Sequence, residues 1–163
     1  MSRSVPFLVR PEKLDGTAPG DMGFDPMRLS DGINLQHAKW SEIKHGRICM
    51  LAIVGILVQQ SGIHFPGELY TNTDIFGAPA TVGWAVNVQI FLFMSCVEAY
   101  SFNMTYGDGT PGDIGWDFPG LMSKLSDADK KKRMESEIVH GRLAMIAFVG
   151  AIVQTLLYGP VVG

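Results

Sequence analysis

One helix-length segment occurs twice in this chain. Ser41-Glu-Ile-Lys-His-Gly-Arg-Ile-Cys-Met-Leu-Ala-Ile-Val-Gly-Ile-Leu-Val-Gln-Gln60 and Ser136-Glu-Ile-Val-His-Gly-Arg-Leu-Ala-Met-Ile-Ala-Phe-Val-Gly-Ala-Ile-Val-Gln-Thr155 agree at twelve of twenty positions. A related loop precedes each copy: Gly20-Asp-Met-Gly-Phe-Asp-Pro26 before the first, Gly112-Asp-Ile-Gly-Trp-Asp-Phe-Pro119 before the second. The repeating unit is a loop followed by a helix, used twice.

Composition narrows the setting. The 163 residues are 47% hydrophobic and 18% charged, with a mean hydropathy of +0.17. Soluble domains carry about 25% charge. The apolar content excludes wholesale disorder, and a net charge of −3 offers no basic excess for nucleic acid. Cys49 and Cys96 each lie inside an apolar run and do not make a disulfide scaffold. The opening Met1-Ser-Arg-Ser-Val-Pro6 does not read as a secretory signal, because no long apolar run follows it.

Charge placement gives the topology. Seven Lys and Arg lie at or before Arg47, six lie at or after Lys124, and none falls between. Three apolar stretches of helical length cover roughly 40–62, 82–103 and 134–158. A span of about 23 residues reaches roughly 35 Å, enough for a hydrocarbon core about 30 Å thick. With three crossings, every loop Lys and Arg falls on one side, which is the positive-inside pattern. The expectation is an all-α membrane protein, a single unit over 1–163. Its N-terminal segment is 1–33, and its helices cover about 34–62, 81–103 and 127–158. The uninterrupted apolar runs 48–58 and 143–153 are eleven residues each and on their own fit core helices of a soluble bundle equally well. Ser126 with Asp129 predicts a capping box for the third helix, and Tyr158-Gly159-Pro160 its stop.

The repeated motif places Glu, His and Arg at i, i+3 and i+5. At about 100° per residue, Glu and His share a face about 60° apart, whereas Glu and Arg stand about 140° apart. The two cannot pair comfortably within one helix, yet a lone charge in a bilayer costs at least about 2.5–3.5 kcal/mol. A pseudo-twofold relating the first and third helices along the membrane normal resolves this: Glu42 pairs with Arg142 and Glu137 with Arg47. Such pairs lock two crossing helices together. They leave His45, His140 and the spare carboxylate lone pairs unexplained. A His among apolar neighbours is either a hydrogen-bonded core residue or a ligand. Small residues beside each motif (Gly46 and Cys49, Gly141 and Ala144) allow a flat ligand or a close helix contact. A magnesium macrocycle meets these demands, since it has an open axial position that takes oxygen or imidazole.

These residues resemble the light-harvesting chlorophyll-binding protein family, whose signature is Glu-x-x-His/Asn-x-Arg on the first and third membrane helices with a GDxGFDP loop before each. Here the motifs read Glu42-Ile-Lys-His-Gly-Arg47, Glu137-Ile-Val-His-Gly-Arg142 and Gly20-Asp-Met-Gly-Phe-Asp-Pro26. The short loops and Ser4-Val-Pro-Phe-Leu-Val-Arg-Pro11 resemble the chlorophyll a/c antennae of red-lineage plastids, fucoxanthin- or cryptophyte-type, more than the a/b type. The resemblance implies chlorophyll a, chlorophyll c, xanthophyll carotenoids and lipid as bound groups. It implies chlorophyll magnesium ligands at Glu42, His45, Glu137, His140 and Gln154, with Gln89 and Glu98 of the second helix as further candidates. His140 stands where many members have Asn, and Gln59 is the twin of Gln154. Carotenoid end groups are expected at Asp25-Pro26 and Asp117-Phe118. In many relatives an Arg follows the second-helix Glu by one turn; here that position is Ser101, which leaves Glu98 either neutral or paired with another chain. His37 and His64, near helix ends, read as ordinary surface or interface histidines.

The function implied is a light-harvesting antenna in the plastid thylakoid membrane, N-terminus stromal and C-terminus lumenal. It passes excitation to a photosystem I or II core beside neighbouring antenna subunits, and it is not an enzyme. A photoprotective, energy-dissipating relative has the same fold. A di-iron carboxylate enzyme also uses paired Glu-x-x-His motifs, but it needs four helices and two further inward carboxylates. Only Glu98 is available here.

Overall fold

The computed structural model describes residues 8–107, 109–117 and 120–159. Among these the regular secondary structure is all helical, with no strand, and turns and loops make the connections. The elements are α1 (Leu29–Gly32), α2 (Leu35–Gln60), a 3-10 turn (Glu68–Tyr70), α3 (Ala78–Thr81), α4 (Gly83–Tyr106) and α5 (Asp127–Tyr158).

The helix ends follow from local chemistry. Asn34 caps α2, its side chain accepting from the Gln36 and His37 amides. At the other end, the Gly62 amide donates to Gln59 O and the Ile63 amide to Val58 O. That is the paired Schellman closure of a helix C-terminus. Ser126 caps α5 by accepting from the Asp129 amide at 3.3 Å, and its hydroxyl donates to the Asp129 carboxylate at 2.7 Å. The box thus closes between side chains instead of returning to the cap amide. The second long helix differs from its expected bounds of 81–103. Pro79 sits in the separate turn α3, and Gly83, at φ +80°, interrupts the chain before α4 runs on to Tyr106. That last turn is held from outside, because the Gln36 side-chain amide donates to the carbonyls of Gly107 and Gly109.

The principal packing is α2 against α5, with α4 attached more sparsely to α2. The contact is closest at Gly46 and Gly141. A Cβ on Gly46 would stand 3.0 Å from the Gly141 Cα, and one on Gly141 would stand 3.1 Å from the Gly46 Cα. Both glycines are buried. They serve close backbone approach, which leaves no space for a flat ligand between them. Among the described residues the buried apolar core is small, comprising Trp40, fully enclosed, and Ala151.

Apolar side chains lie outside instead. Phe91 and Phe93 of α4 are each 69% exposed, and Ile146 of α5 is 73% exposed. So many exposed large apolar side chains on two helices mark faces suited to a cover other than water. Two helices, α4 and α5, are long and apolar enough to cross a membrane. Helix α2 is long enough at 26 residues, but Lys39, Glu42, Lys44 and Arg47 dilute its first half. At about 1.5 Å per residue, the 32 residues of α5 extend roughly 48 Å. That exceeds a hydrocarbon core of about 30 Å, and Lys130 to Arg133 lie in the N-terminal turns of the helix.

Candidate functional site

The site forms where α2 crosses α5. Arg47 Nε of α2 donates to Glu137 Oε1 of α5 at 2.6 Å, and Arg142 Nε of α5 donates to Glu42 Oε1 of α2 at 2.7 Å. The helical wheel explains why both bonds pass between helices. Glu42 and Gly46 stand about 40° apart and face the partner, and each Arg comes round from the side to reach the opposite Glu. Each Arg also has a backbone partner. Arg47 Nη2 donates to Gly112 O at 2.7 Å, and Arg142 Nη1 donates to Gly20 O at 3.0 Å.

Those carbonyls belong to the two repeated loops, and the loops are exchanged. The loop preceding α2 caps the Arg of α5, and the loop preceding α5 caps the Arg of α2. Glycine is required at both contact points. Gly20 and Gly112 take φ of +72° and +90°, and a Cβ there would meet Ile138 Cγ2 at 2.8 Å and Ile43 Cδ1 at 3.1 Å respectively. Sequence reasoning identified the loops but not this exchange, because a backbone acceptor leaves no side-chain signature.

Two aspartates shape each loop in the same way. Asp21 accepts from the Gly23 amide and Asp113 from the Gly115 amide, both at 2.8 Å. Asp25 accepts from the Leu29 and Ser30 amides at 3.0 and 2.9 Å. Asp117 accepts from the Met122 and Ser123 amides, both at 2.9 Å. The Ser30 hydroxyl and then its amide hold the Asp25 carboxyl below the usual carboxylate range. The Met122 and Ser123 amides lower Asp117 in the same way. Pro26 is exposed beside Asp25, whereas Phe118 lies outside the described residues. Beside the crossing a groove of about 870 Å³ reaches from Glu137 and Arg47 to Asp117. A second, of about 460 Å³, reaches from Glu42 and Arg142 to Asp25.

The histidines turn outward. His45 Nδ1 lies 2.7 Å from Ser41 O, and His140 Nδ1 lies 2.7 Å from Ser136 O. A carbonyl accepts only, so Nδ1 carries a proton, and in the neutral ring Nε2 keeps its lone pair. That is the tautomer a metal-ligating imidazole needs. Both rings are exposed. Glu42 and His45 therefore do not converge on one ion, and among the described residues no group of three or more His, Cys, Asp or Glu comes together to hold a metal ion.

The remaining expected residues are scattered along the helices. Gln154 and Gln89 are exposed on α5 and α4. The Gln59 side-chain amide donates to Asn72 O in the loop after α2. His37 stacks on Tyr106 with ring centroids 5.4 Å apart, tying α2 to the end of α4. His64 is exposed. The expectation that Glu98 is neutral or paired with another chain is corrected: Lys44 Nζ of α2 donates to Glu98 Oε1. The partner was missed because it stands on another helix.

Comparison with known proteins gives the family. The family described as Chlorophyll A-B binding protein matches residues 10–156. The chain is 31% identical over 151 residues to fucoxanthin-chlorophyll a-c binding protein F, chloroplastic, of Phaeodactylum tricornutum, covering 82% of this chain and 74% of that one. It is 33% identical over 165 residues to chlorophyll a-b binding protein 6, chloroplastic, of Arabidopsis thaliana, covering 94% and 68%. Against chlorophyll a-b binding protein P4, chloroplastic, of Pisum sativum it is 30% identical over 173 residues, covering 92% and 66%. The chain thus spans about two thirds to three quarters of the length of these relatives. It belongs to the Chlorophyll A-B binding protein family.

Proposed function

We propose that this chain is a light-harvesting antenna subunit of the plastid thylakoid membrane. It forms one unit with three crossings, α2, α4 and α5, with the N-terminus stromal and the C-terminus lumenal. A pseudo-twofold along the membrane normal relates α2 to α5. Bound chlorophylls and carotenoids supply absorption and excitation transfer, toward a photosystem core and neighbouring antenna subunits. The protein itself makes and breaks no bond.

The crossed Glu–Arg pairs are the observation that carries this reading. Each Arg engages one oxygen of its Glu and a loop carbonyl, so that four charges neutralise one another where a lone charge would be costly. The second oxygen of Glu42 and of Glu137 takes none of the described hydrogen bonds and remains available as a hard donor for magnesium. His45 and His140 offer Nε2 on the outer faces, their rings fixed by the carbonyls one turn back. Gln154, Gln89 and Glu98 are the further donors. The grooves ending at Asp25 and Asp117 suit elongated apolar ligands with polar ends, as xanthophylls are, and the exposed apolar faces suit pigment and lipid. Similarity to a fucoxanthin-chlorophyll a-c binding protein supports chlorophyll c beside chlorophyll a.

Pigment extraction and absorption spectroscopy of the detergent-solubilised complex test the assignment. Chlorophyll a with chlorophyll c and a carotenoid is expected, with excitation of the accessory pigments appearing as chlorophyll a fluorescence. A colourless native particle refutes it. The fluorescence lifetime separates harvesting from dissipation.

A further inference from the structure

Helix α4 contains a single charged residue, Glu98. The repeat between α2 and α5 differs at eight positions, and only one of those differences changes charge: Lys44 in α2 against Val139 in α5. The structure joins these two exceptions. Lys44 Nζ donates to Glu98 Oε1, whereas Val139 is 56% exposed on the other side of the crossing. The wheel accounts for the placement. Lys44 stands about 200° round α2 from Glu42, on the face away from α5, and within about 20° of His37 two turns earlier. His37 stacks on Tyr106, so the His37–Lys44 face of α2 is the one that meets α4.

The position one turn after Glu98 holds Ser101, which is 2% exposed and whose hydroxyl donates to the Glu98 backbone carbonyl. It supplies no charge. The Glu98 side chain is 60% exposed, and its second oxygen takes none of the described hydrogen bonds.

We propose that Lys44 is the counter-charge that makes Glu98 usable inside the membrane, so that α2 and α4 jointly form one chlorophyll site with Glu98 as donor and Lys44 as its positioning residue. The inference rests on the antenna reading above. The departure from the repeat is then functional. The two-helix crossing neutralises itself, and α4 borrows its cation from the neighbouring α2.

The test uses the complex isolated from membranes, as wild type, Lys44→Arg, Lys44→Met and the double variant Lys44→Met/Glu98→Gln. The readouts are chlorophyll per polypeptide and the melting temperature by circular dichroism. Lys44→Arg keeps the wild-type count. Lys44→Met loses one chlorophyll and melts lower. The double variant regains both, because a neutral amide oxygen still reaches magnesium and needs no counter-charge. A Lys44→Met complex with unchanged count and melting overturns the inference, as does a double variant no better than the single. Wild type without chlorophyll refutes the antenna reading instead.

Discussion

The contact between Gly46 and Gly141 makes a sharp prediction. A methyl added to Gly46 would stand 3.0 Å from the Gly141 Cα, and its next neighbour is the Gly141 carbonyl carbon at 3.5 Å. Carbon atoms settle at about 3.5–4.0 Å, so α2 and α5 must separate by roughly 0.5 Å or more. The obstructing atoms are backbone and cannot rotate aside. Overpacking of this kind costs about 1–3 kcal/mol, while replacing a mid-helix glycine by alanine returns up to about 1 kcal/mol of helix propensity. Gly46→Ala and Gly141→Ala should therefore be neutral to roughly 2 kcal/mol destabilised, taking those two ranges together. The repeat supplies its own control. Gly55 and Gly150 occupy matching positions further along α2 and α5, and a methyl added at either would meet nothing within 4 Å. Alanine there should leave stability unchanged or raised. The gap between the two pairs isolates the clash at about 1–3 kcal/mol. Because Gly46 and Gly141 share one contact, their double variant should cost less than the sum of the singles. Thermal melts of the pigmented complex provide the measurement. Equal shifts at Gly46 and Gly55 would refute the spacer argument.

Other perturbations reach the charges and the loops. Glu42→Gln should strip Arg142 of its counter-charge, cost at least about 2.5–3.5 kcal/mol as a membrane-embedded lone charge does, and remove one chlorophyll; full pigment content with unchanged melting would contradict the crossed-pair argument. His140→Leu should lose one chlorophyll while His140→Asn keeps it, as pigment counting would show. Asp25 and Asp117 have folded-state carboxyls held below the ordinary value of 3.8, so their contribution is present above that value and is lost as pH falls through the lower folded one. Protection of the Leu29, Ser30, Met122 and Ser123 amides, their exchange rate relative to the intrinsic rate at the same pH, should hold at pH 5 and fall only well below pH 4, about where ordinary carboxylates titrate. Asp25→Asn should lower protection at Leu29 and Ser30 above about pH 4 and change little where the Asp25 carboxyl is already protonated.

Much of this architecture is written in side-chain periodicity. The 140° between Glu and Arg is a property of the string, and it demands a second helix; the Arg47–Glu137 and Arg142–Glu42 bonds are the form that demand takes in the structure. Other features have no such trace. A glycine removes the side chain whose pattern would say what it makes room for, so Gly46 and Gly141 suit a ligand or a helix equally well until the neighbour is seen. The Lys44–Glu98 bond escaped because charge balance was weighed along one helix. Gly20 and Gly112 offer only a carbonyl, and a carbonyl belongs to every residue. The start of α4 shifted because the positive φ of Gly83 depends on the chain's path into the helix, which hydropathy does not encode.

The exchange of loops has a consequence for how such a molecule assembles. Neither half of the duplication is closed by its own residues: each guanidinium is finished by a carboxylate and a carbonyl contributed from the far half. An isolated half would present an unfinished socket and an unfinished plug of matching shape, so its natural mate is another molecule of itself. Two separately expressed halves should therefore recombine, each supplying the carboxylate and carbonyl that the other half's guanidinium lacks.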